Sequence, residues 1–209
     1  DLLDNQKRFV RDAAHQLRTP LAVLKVQVQS ALRGDVEPQQ ALQEISQTVQ
    51  RATVLANQML SLAKVEQVRQ LQNFATRDWA EVVRAVAMEV SPLIAQKDID
   101  FEIESQPCQV HAHEWMLREL VRNLLHNAIR HTPNRGKLSV LIEPIGSMAQ
   151  LCVSDSGTGI GDSMRQRLFQ PFATGDTKSG TGLGLTIARE IVIALNGTIQ
   201  LNNRVVDLQ

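Results

Sequence analysis

Tyrosine is absent from this sequence, and the other aromatic residues are few: 5 Phe and 2 Trp among 209 residues. Such a composition argues against a surface on which nucleic-acid bases stack. An excess of charge is lacking as well, because 22 basic residues balance 22 acidic ones. No net field draws the chain to nucleic acid or to an anionic membrane, and we expect no nucleic-acid partner.

Cysteine is scarce, with two residues in the chain. Cys108 and Cys152 form neither a CxxC motif nor another metal-ligand spacing. Two unclustered cysteines are typical of a cytosolic protein, so we expect both thiols to stay reduced. Cys152 lies in the apolar run Leu151-Cys152-Val153 and is predicted to be buried.

Long hydrophobic runs are missing too. No apolar segment approaches the roughly 20 residues that cross a bilayer, and the sequence shows no signal peptide. The chain starts at Asp1 instead of Met, so we interpret it as a soluble piece of a longer protein. The parent protein can therefore carry membrane spans that this piece lacks.

Glycine and proline are rare between residue 2 and about residue 70, where apolar residues recur at helical spacing. The first series steps by four and three residues in turn and comprises Val10, Ala14, Leu17, Leu21, Leu24, Val28 and Ala31. After a break at Gly34-Asp35, a second series repeats this spacing: Leu42, Ile45, Val49, Ala52, Ala56, Met59 and Ala63. We predict a helical hairpin with arms of roughly 30 residues, each about 45 Å long.

Both apolar seams of this hairpin need a partner, because two helices alone cannot enclose a core. Pairing two hairpins into a four-helix bundle would bury the seams, so we expect a homodimer. The alternative is that the hairpin packs against the C-terminal half of its own chain.

The pattern changes after about residue 74. Helical segments near 78–96, 113–130, 162–169 and 184–195 alternate with strand-like runs at Ile99–Ile103, Leu138–Ile142, Gln150–Val153 and Thr198–Leu201. We predict an α/β domain with one sheet and helices packed on it. Near the end, Asn202-Asn203-Arg204 leaves little room for a turn before the strand-like Val205–Leu208, which indicates either missing residues or a chain cut before a final strand.

His15 is the first candidate for chemistry. It follows the seam residue Ala14 and is therefore displaced by about 100° around the helix, facing outward. Pro20 removes one backbone hydrogen bond and is predicted to kink the helix one turn later. Taken alone, an exposed histidine on a helix is more often a plain surface residue.

The helix near 113–130 carries a second candidate. Glu119, Asn123 and Asn127 recur every four residues and share one face. Amide oxygens can hold Mg²⁺ beside phosphate oxygens, although a polar row on a helix can equally be solvated.

Glycine-rich segments supply the third and fourth candidates. Asp155 ends a strand and precedes Gly157 and Gly159, so its carboxylate can meet an exocyclic amine while a flat ring approaches the backbone; the alternative is an ordinary strand-to-helix turn. Gly180-Thr-Gly-Leu-Gly184 opens a helix, whose backbone N–H groups can cradle phosphates. Neither segment is a Walker motif, and a dinucleotide-binding fold is not indicated.

The order of these segments is more specific than any one of them. A histidine helix, an asparagine helix, a DxGxG turn, the FxPF segment Phe169–Phe172 and a GxGxG segment follow one another. This succession resembles the bacterial sensor histidine kinases of two-component systems, where the segments are the H, N, G1, F and G2 boxes. The resemblance covers nearly the whole chain, and the H box is most similar to the branch of tricarboxylate-responsive sensors.

The resemblance implies two domains. Residues 1–70 would be the dimerisation and phosphotransfer hairpin, which forms a dimeric four-helix bundle. Residues 75–209 would be a catalytic ATP-binding domain, an α/β sandwich of the Bergerat type shared with Hsp90-like chaperones, gyrase and MutL. It also implies that the chain is the cytoplasmic portion of a bacterial inner-membrane protein, anchored through an N-terminal segment absent here.

The resemblance also implies a role for each matched residue. His15 would accept the γ-phosphoryl group of ATP and pass it to an aspartate in the receiver domain of a response regulator. Asn123 and Asn127 would lie at Mg²⁺, and Asp155 would bind the adenine amine. The further nucleotide-binding positions would be Arg130, Gly157, Gly159, Ile160, Gly180, Gly182, Leu183 and Gly184, with 169–184 as a mobile lid.

Gln16 departs from the family pattern, in which Glu or Asp commonly follows the histidine. An amide oxygen can accept the imidazole N–H but cannot become a base at neutral pH, so the departure bears on the rate. Thr19 matches the position that orients water for dephosphorylating the regulator. Two alternatives stay open: a degenerate dimeric module that binds a regulator without transfer, and a chaperone- or topoisomerase-like ATPase with Glu119 as base.

Overall fold

The structure is a computed structural model that describes residues 2–71, 73–165, 167–173 and 180–203. The chain divides into two compact units, Asp1–Ser61 and Leu62–Gln209. Among the helices of the described residues, none combines the length and the apolar character of a membrane-spanning segment.

The first unit is a helical hairpin, as predicted. Helix α1 spans Leu2–Arg33, and helix α2 spans Pro38–Leu71 and continues into the second unit. Gly34 ends α1 with φ of +74°, a left-handed conformation that favours glycine, and its N–H donates to the carbonyl of Ala31. Pro38 occupies the first position of α2, where its missing N–H costs little.

The hairpin buries only part of its apolar surface within one chain. Ala41, Thr48, Leu55 and Met59 are buried and share one side of α2. Several residues of the predicted seams stay exposed: Leu21, Val28, Leu42 and Val49. The side chain of Val10 lies outside the described part of the molecule.

The second unit is an α/β domain, as predicted. Its elements follow in the order β1 (Ala75–Asp78), α3 (Trp79–Gln96), β2 (Asp100–Ser105), β3 (Gln109–Ala112), α4 (Glu114–His131), β4 (Lys137–Ile145), β5 (Met148–Asp155), α5 (Asp162–Arg165) and α6 (Gly184–Ala194). Strands β1 and β3 pair antiparallel. In the other sheet, β4 lies between β2, which is parallel to it, and β5, which is antiparallel.

One continuous core holds this unit together. Helices α3 and α4 pack against each other and contribute most of its buried residues, and strand β4 contributes Leu138, Val140 and Ile142. Asp78 fixes the start of α3, because its Oδ1 accepts the N–H groups of Ala80 at 3.0 Å and of Cys108 at 2.9 Å. The core places the last turn of α4, the end of β5 and the start of α6 close to one another.

Several details differ from the sequence-based expectations. The described strands form two sheets instead of one. The second sheet was not predicted because its four-residue strands, β1 and β3, are too short and too polar to be recognised from alternation. Thr198–Leu201 is not a strand, since no described strand pairs with it. The helix predicted near 162–169 ends at Arg165 and is followed by a turn over 167–169.

The prediction for the cysteines was wrong for Cys152. Its thiol is exposed, 3.6 Å from the hydroxyl of Ser154, while Cys108 is the buried cysteine. Side chains alternate between the two faces of β5, and Leu151 and Val153 are the ones packed on the core. The Arg204-Val205 junction and residues 174–179 of the predicted lid lie outside the described residues.

Candidate active site

His15 lies on an exposed stretch of α1, as the helical spacing predicts. The neighbouring candidates Gln16 and Thr19 are exposed too. Helix α1 runs through Pro20 without interruption from Leu2 to Arg33. The predicted nucleophile is therefore presented to solvent on a continuous helix of the first unit.

The polar face of α4 is tightly organised. Glu119 and Asn123 are both buried, and the Asn123 amide donates to the Glu119 backbone carbonyl at 2.8 Å and to its carboxylate at 3.2 Å. Arg122 donates to the same carboxylate at 3.2 Å. With its Nδ2 engaged, Asn123 presents Oδ1 toward the start of α6, where an added Cβ at Gly184 would lie 3.1 Å from it. Asn127, one turn later, is half-buried.

The aspartate of the DxGxG turn ends strand β5. Its Oδ1 accepts the Gly157 N–H at 2.8 Å, and the carboxylate is half-buried. No side chain fits at Gly157, because a Cβ there would lie 2.7 Å from the His131 carbonyl oxygen. The turn therefore sits directly on the last residue of α4.

The far half of this turn is held by a residue that the sequence did not single out. The Ile160 N–H donates to Asn203 Oδ1 at 2.7 Å, and Asn203 Nδ2 donates to the Ile160 carbonyl at 2.9 Å. The two residues are separated by 43 positions. The only signal in the sequence was the polar pair Asn202-Asn203, and such a pair is equally typical of a turn.

The GxGxG segment meets α4 and the FxPF segment. Gly180 adopts φ of +115° and lies so close to the Arg130 guanidinium that a Cβ there would overlap it. Gly182 has φ of +71°, and its carbonyl accepts the Phe172 N–H at 3.1 Å. Phe172 itself has a positive φ of 62°, a rare conformation for a residue with a side chain.

The start of α6 leaves backbone donors without a side-chain cap. Leu183 precedes the helix and makes no capping hydrogen bond through its side chain, which is fully buried. The Leu183 N–H itself donates to Thr181 Oγ1 at 3.4 Å, so a ligand here would meet the backbone of the first helical turn. The N–H groups of the first helical turn, together with the helix dipole, favour an anion at this point.

The structure thus gathers most of the predicted nucleotide-binding residues in the second unit. Asn123 approaches Gly184 at the start of α6, Arg130 approaches Gly180, and Asp155 lies beside the end of α4 through Gly157. The histidine, Gln16 and Thr19 belong to the first unit. Among the described residues, no group of three His, Cys, Asp or Glu side chains converges as a metal site.

His126 is a titratable neighbour of this site to which no sequence motif assigned a role. Burial lowers its pKa, and the nearby Arg122 and Arg130 guanidinium groups lower it further, against the opposing effect of Glu119. The ring also lines a cavity of about 460 Å³ between the C-terminal ends of α3 and α4. Arg130 is the only predicted site residue that lines this cavity.

Two family profiles match consecutive parts of the chain. Residues 5–68 match the His Kinase A (phospho-acceptor) domain, and residues 112–206 match the histidine kinase-, DNA gyrase B- and HSP90-like ATPase. His15, Gln16 and Thr19 fall in the first match. All the predicted nucleotide-binding residues fall in the second.

Curated relatives and solved structures agree with these matches. The chain is 33% identical over 204 residues to sensor protein kinase PmrB of Pseudomonas aeruginosa, covering 95% of this chain and 43% of PmrB. It is 32% identical over 216 residues to sensor protein QseC of Salmonella typhimurium, covering 97% and 46%. The chain therefore spans less than half the length of these relatives.

Among solved structures, the histidine kinase AdeS of Acinetobacter baumannii superposes with a TM-score of 0.76 at 28% identity, covering 91% of each chain. The catalytic domain of histidine kinase ThkA superposes with a TM-score of 0.54 at 30% identity, covering 59% of this chain and 82% of that domain.

Proposed function

Because this chain belongs to the sensor histidine kinase family, we propose that it transfers the γ-phosphoryl group of ATP to His15 and from there to an aspartate of a response regulator. The observation that carries the proposal is the pairing of an exposed histidine on a phospho-acceptor hairpin with a glycine-rich anion site in an ATPase domain. The proposed domains are residues 1–70 for phosphotransfer and 75–209 for ATP binding.

The geometry of the second unit supports nucleotide binding. Asp155 presents a half-buried carboxylate, one oxygen of which is oriented by the Gly157 N–H. Such a group accepts a hydrogen bond from the exocyclic amine of adenine. At the other end, the uncapped start of α6 and the Arg130 guanidinium beside Gly180 offer donors and positive charge to phosphates.

The residues of α4 also fit Mg²⁺. Asn123 uses its amide donors on Glu119 and keeps its oxygen toward the phosphate end of the site. Asn127, on the same helix face and half-buried, can add a second neutral oxygen. When bound, Mg²⁺ would neutralise charge on the phosphate oxygens.

The proposed chemical step is an in-line displacement. The neutral imidazole of His15 attacks the γ-phosphorus, a nitrogen–phosphorus bond forms, and the bond to the β–γ bridging oxygen breaks as ADP leaves. The imidazole proton is lost to solvent, because the neighbouring Gln16 can accept its hydrogen bond but not the proton. We assign Thr19, one turn further along α1, to orienting water when the phosphorylated regulator is hydrolysed.

The exposed seam of the hairpin supports a homodimer. Leu21 and Leu42 expose 59% and 67% of their surface in a single chain, although both belong to the predicted bundle core. A response regulator is the proposed second partner; a structural relative of this chain, histidine kinase ThkA, has been solved in complex with response regulator protein TrrA. We place the chain on the cytoplasmic side of a membrane-anchored parent.

The proposal is tested with ATP labelled on the γ-phosphate. The wild-type chain should acquire label that is lost in acid and kept in base, as a phosphohistidine requires. His15→Ala should abolish the label yet leave ATP affinity within a few-fold of wild type, and His111→Ala, at an exposed histidine of β3, should keep it. Label that survives His15→Ala would refute the assignment of His15 as the acceptor. Steady ATP hydrolysis without labelled protein would favour the ATPase alternative.

A further inference from the structure

The two halves of the DxGxG turn are anchored differently. In the first half, Ser156 pairs with Lys137: the Ser156 N–H donates to the Lys137 carbonyl at 3.0 Å, and the Lys137 N–H donates to Ser156 Oγ at 2.8 Å. Gly157 is wedged against the His131 carbonyl. This half is therefore fixed to β4 and to α4, both of which are part of the folded core.

The second half depends on one side chain. Among the described residues, Asn203 is the only one whose side chain bonds the backbone of residues 158–160. Its amide presents one acceptor and one donor in a plane, which matches the N–H and C=O of Ile160 as a neighbouring strand would. Gly159 has φ of +74°, and a Cβ there would lie 3.0 Å from Asn203 Oδ1, so the turn has the shape that admits this amide.

These contacts place Asn203 opposite the base-recognition end of the site. Asp155 begins the turn, and Ile160 lies at its far end, five positions later. A ligand ring that enters the turn is bounded by both ends. The depth at which the ring meets the Asp155 carboxylate therefore depends on how firmly the far end is held.

We infer that Asn203 is a positioning residue for the nucleotide base, which fixes the Gly159-Ile160 end of the pocket so that adenine is selected over guanine. The inference rests on the proposed ATP-binding function. Adenine offers an amine to Asp155, whereas guanine offers a carbonyl oxygen at the same position, which a carboxylate repels. A fixed pocket makes the affinity for adenine exceed the affinity for guanine. In a loosened pocket guanine can shift away from the carboxylate, and the two affinities become more similar.

A purely structural role for the pair predicts a different result. Both hydrogen bonds are solvent-exposed, and exposed bonds of this kind add little to the stability of a fold. If the pair were only structural, its loss would lower the melting temperature slightly and reduce the affinities for ATP and GTP by the same factor. A positioning role changes the ratio of the two affinities.

The experiment compares ATP and GTP affinity in the full chain by calorimetry, with melting temperatures measured without nucleotide. Asn203→Leu keeps the shape of the side chain and removes both hydrogen bonds. Asn203→Asp keeps the acceptor but turns a second oxygen toward the Ile160 carbonyl. Asn202→Leu, at the exposed neighbour, is the matched control.

We expect both Asn203 variants to bind ATP about 3- to 10-fold more weakly, the range of one net hydrogen bond, with a smaller loss for GTP. Asn202→Leu should behave as wild type. An unchanged ATP-to-GTP ratio in Asn203→Leu, with or without a lower melting temperature, would overturn the inference and leave the proposed function intact. A wild-type chain that binds neither nucleotide would overturn the proposed function and this inference together.

Discussion

The two units of this chain differ in how far they bury their apolar residues. In the second unit, α3, α4 and the strands enclose a core in which residues such as Val86 and Leu125 are fully buried. In the hairpin, α1 contributes no residue to the buried set among the described side chains, and Leu21 of its seam is exposed. The described part of the ATP-binding unit thus encloses its core within a single chain, whereas the hairpin leaves apolar residues such as Leu21 and Leu42 exposed.

This difference indicates where each unit obtains its stability. Burial of apolar side chains drives folding at roughly 25 cal/mol per Å², and the second unit obtains this from its own residues. In the proposed homodimer, the hairpin would obtain much of it only when its seams are covered. Stability of the hairpin should therefore depend on protein concentration, and stability of the ATP-binding unit should not.

The largest expected effect comes from a charge in the hairpin seam. Leu42→Asp would place two carboxylates in the apolar centre of the proposed bundle, and we expect the dimer to weaken by on the order of 100-fold or more. Sedimentation at several concentrations measures this. Leu32→Asp, at a more exposed leucine outside the seam, is the control and should leave the association unchanged. If both variants weakened the dimer equally, or if neither weakened it, the assignment of Leu42 to the core of the bundle would be wrong.

A second effect should be confined to the ATP-binding unit. Asp155→Asn should lower the affinities for ATP and for ADP alike by about 10- to 100-fold, because a hydrogen bond to a charged group contributes roughly 1.5–3 kcal/mol. Asn127→Ala should instead reduce the binding that depends on Mg²⁺. Asp98→Asn, at an exposed aspartate paired with Arg135, serves as the control.

Titrations of ATP and ADP with and without metal separate the two roles. If ADP affinity without metal fell more for Asn127→Ala than for Asp155→Asn, the two assignments would have to be exchanged. Dimerisation should be unaffected in either variant, which would confirm that the units can be disturbed separately.

A smaller effect concerns His15, the proposed acceptor on the hairpin. Gln16→Glu should raise the autophosphorylation rate by roughly 3- to 10-fold above neutral pH, because a carboxylate accepts the imidazole N–H more strongly than an amide and can take its proton. The initial rate of His15 labelling measures this, with Gln29→Glu on the same helix as a control for added charge. A slower Gln16→Glu variant would show that the site is built around the amide.

The smallest effect is a pH dependence of the second unit. The lowered pKa of His126 means that the folded unit binds its proton less readily than the unfolded chain does. Stability should therefore fall as the pH drops through about 6.5, the ordinary histidine pKa, and level off below the lowered value. His126→Gln should reduce this slope. Both tryptophans, Trp79 and Trp115, lie in the second unit, so their fluorescence during denaturation reports this unit alone.

Much of this architecture could be predicted from the sequence because it depends on periodicity and order. The heptad spacing predicted the hairpin, and the longer helices and strands of the second unit follow from apolar patterns of ten or more residues or from strict alternation. The glycine and asparagine segments predicted which parts of the second unit come together, and the structure does bring Gly180 to Arg130 and Gly184 to Asn123.

What could not be predicted depends on contacts between distant positions. Nothing in the sequence pairs Asn203 with Ile160, since an amide that bonds a backbone leaves no periodic pattern. The exposure of Cys152 depends on which face of β5 meets the core, and an apolar triplet does not determine that. The pairing of β1 with β3 likewise joins two short polar segments that α3 and β2 separate along the chain, and no local pattern indicates it.

Lys97 has a consequence for chemical labelling of this protein. At the end of α3, its ammonium group donates to the carbonyls of Ile129, Arg130 and Thr132 at 2.8, 3.0 and 2.6 Å, so all three of its protons are engaged at the C-terminal end of α4. An acylating reagent needs a free, deprotonated amine. It should therefore modify Lys97 only in molecules whose Lys97 side chain has left these carbonyls, and the rate of acylation at this one lysine reports how often its contact with the C-terminal end of α4 breaks.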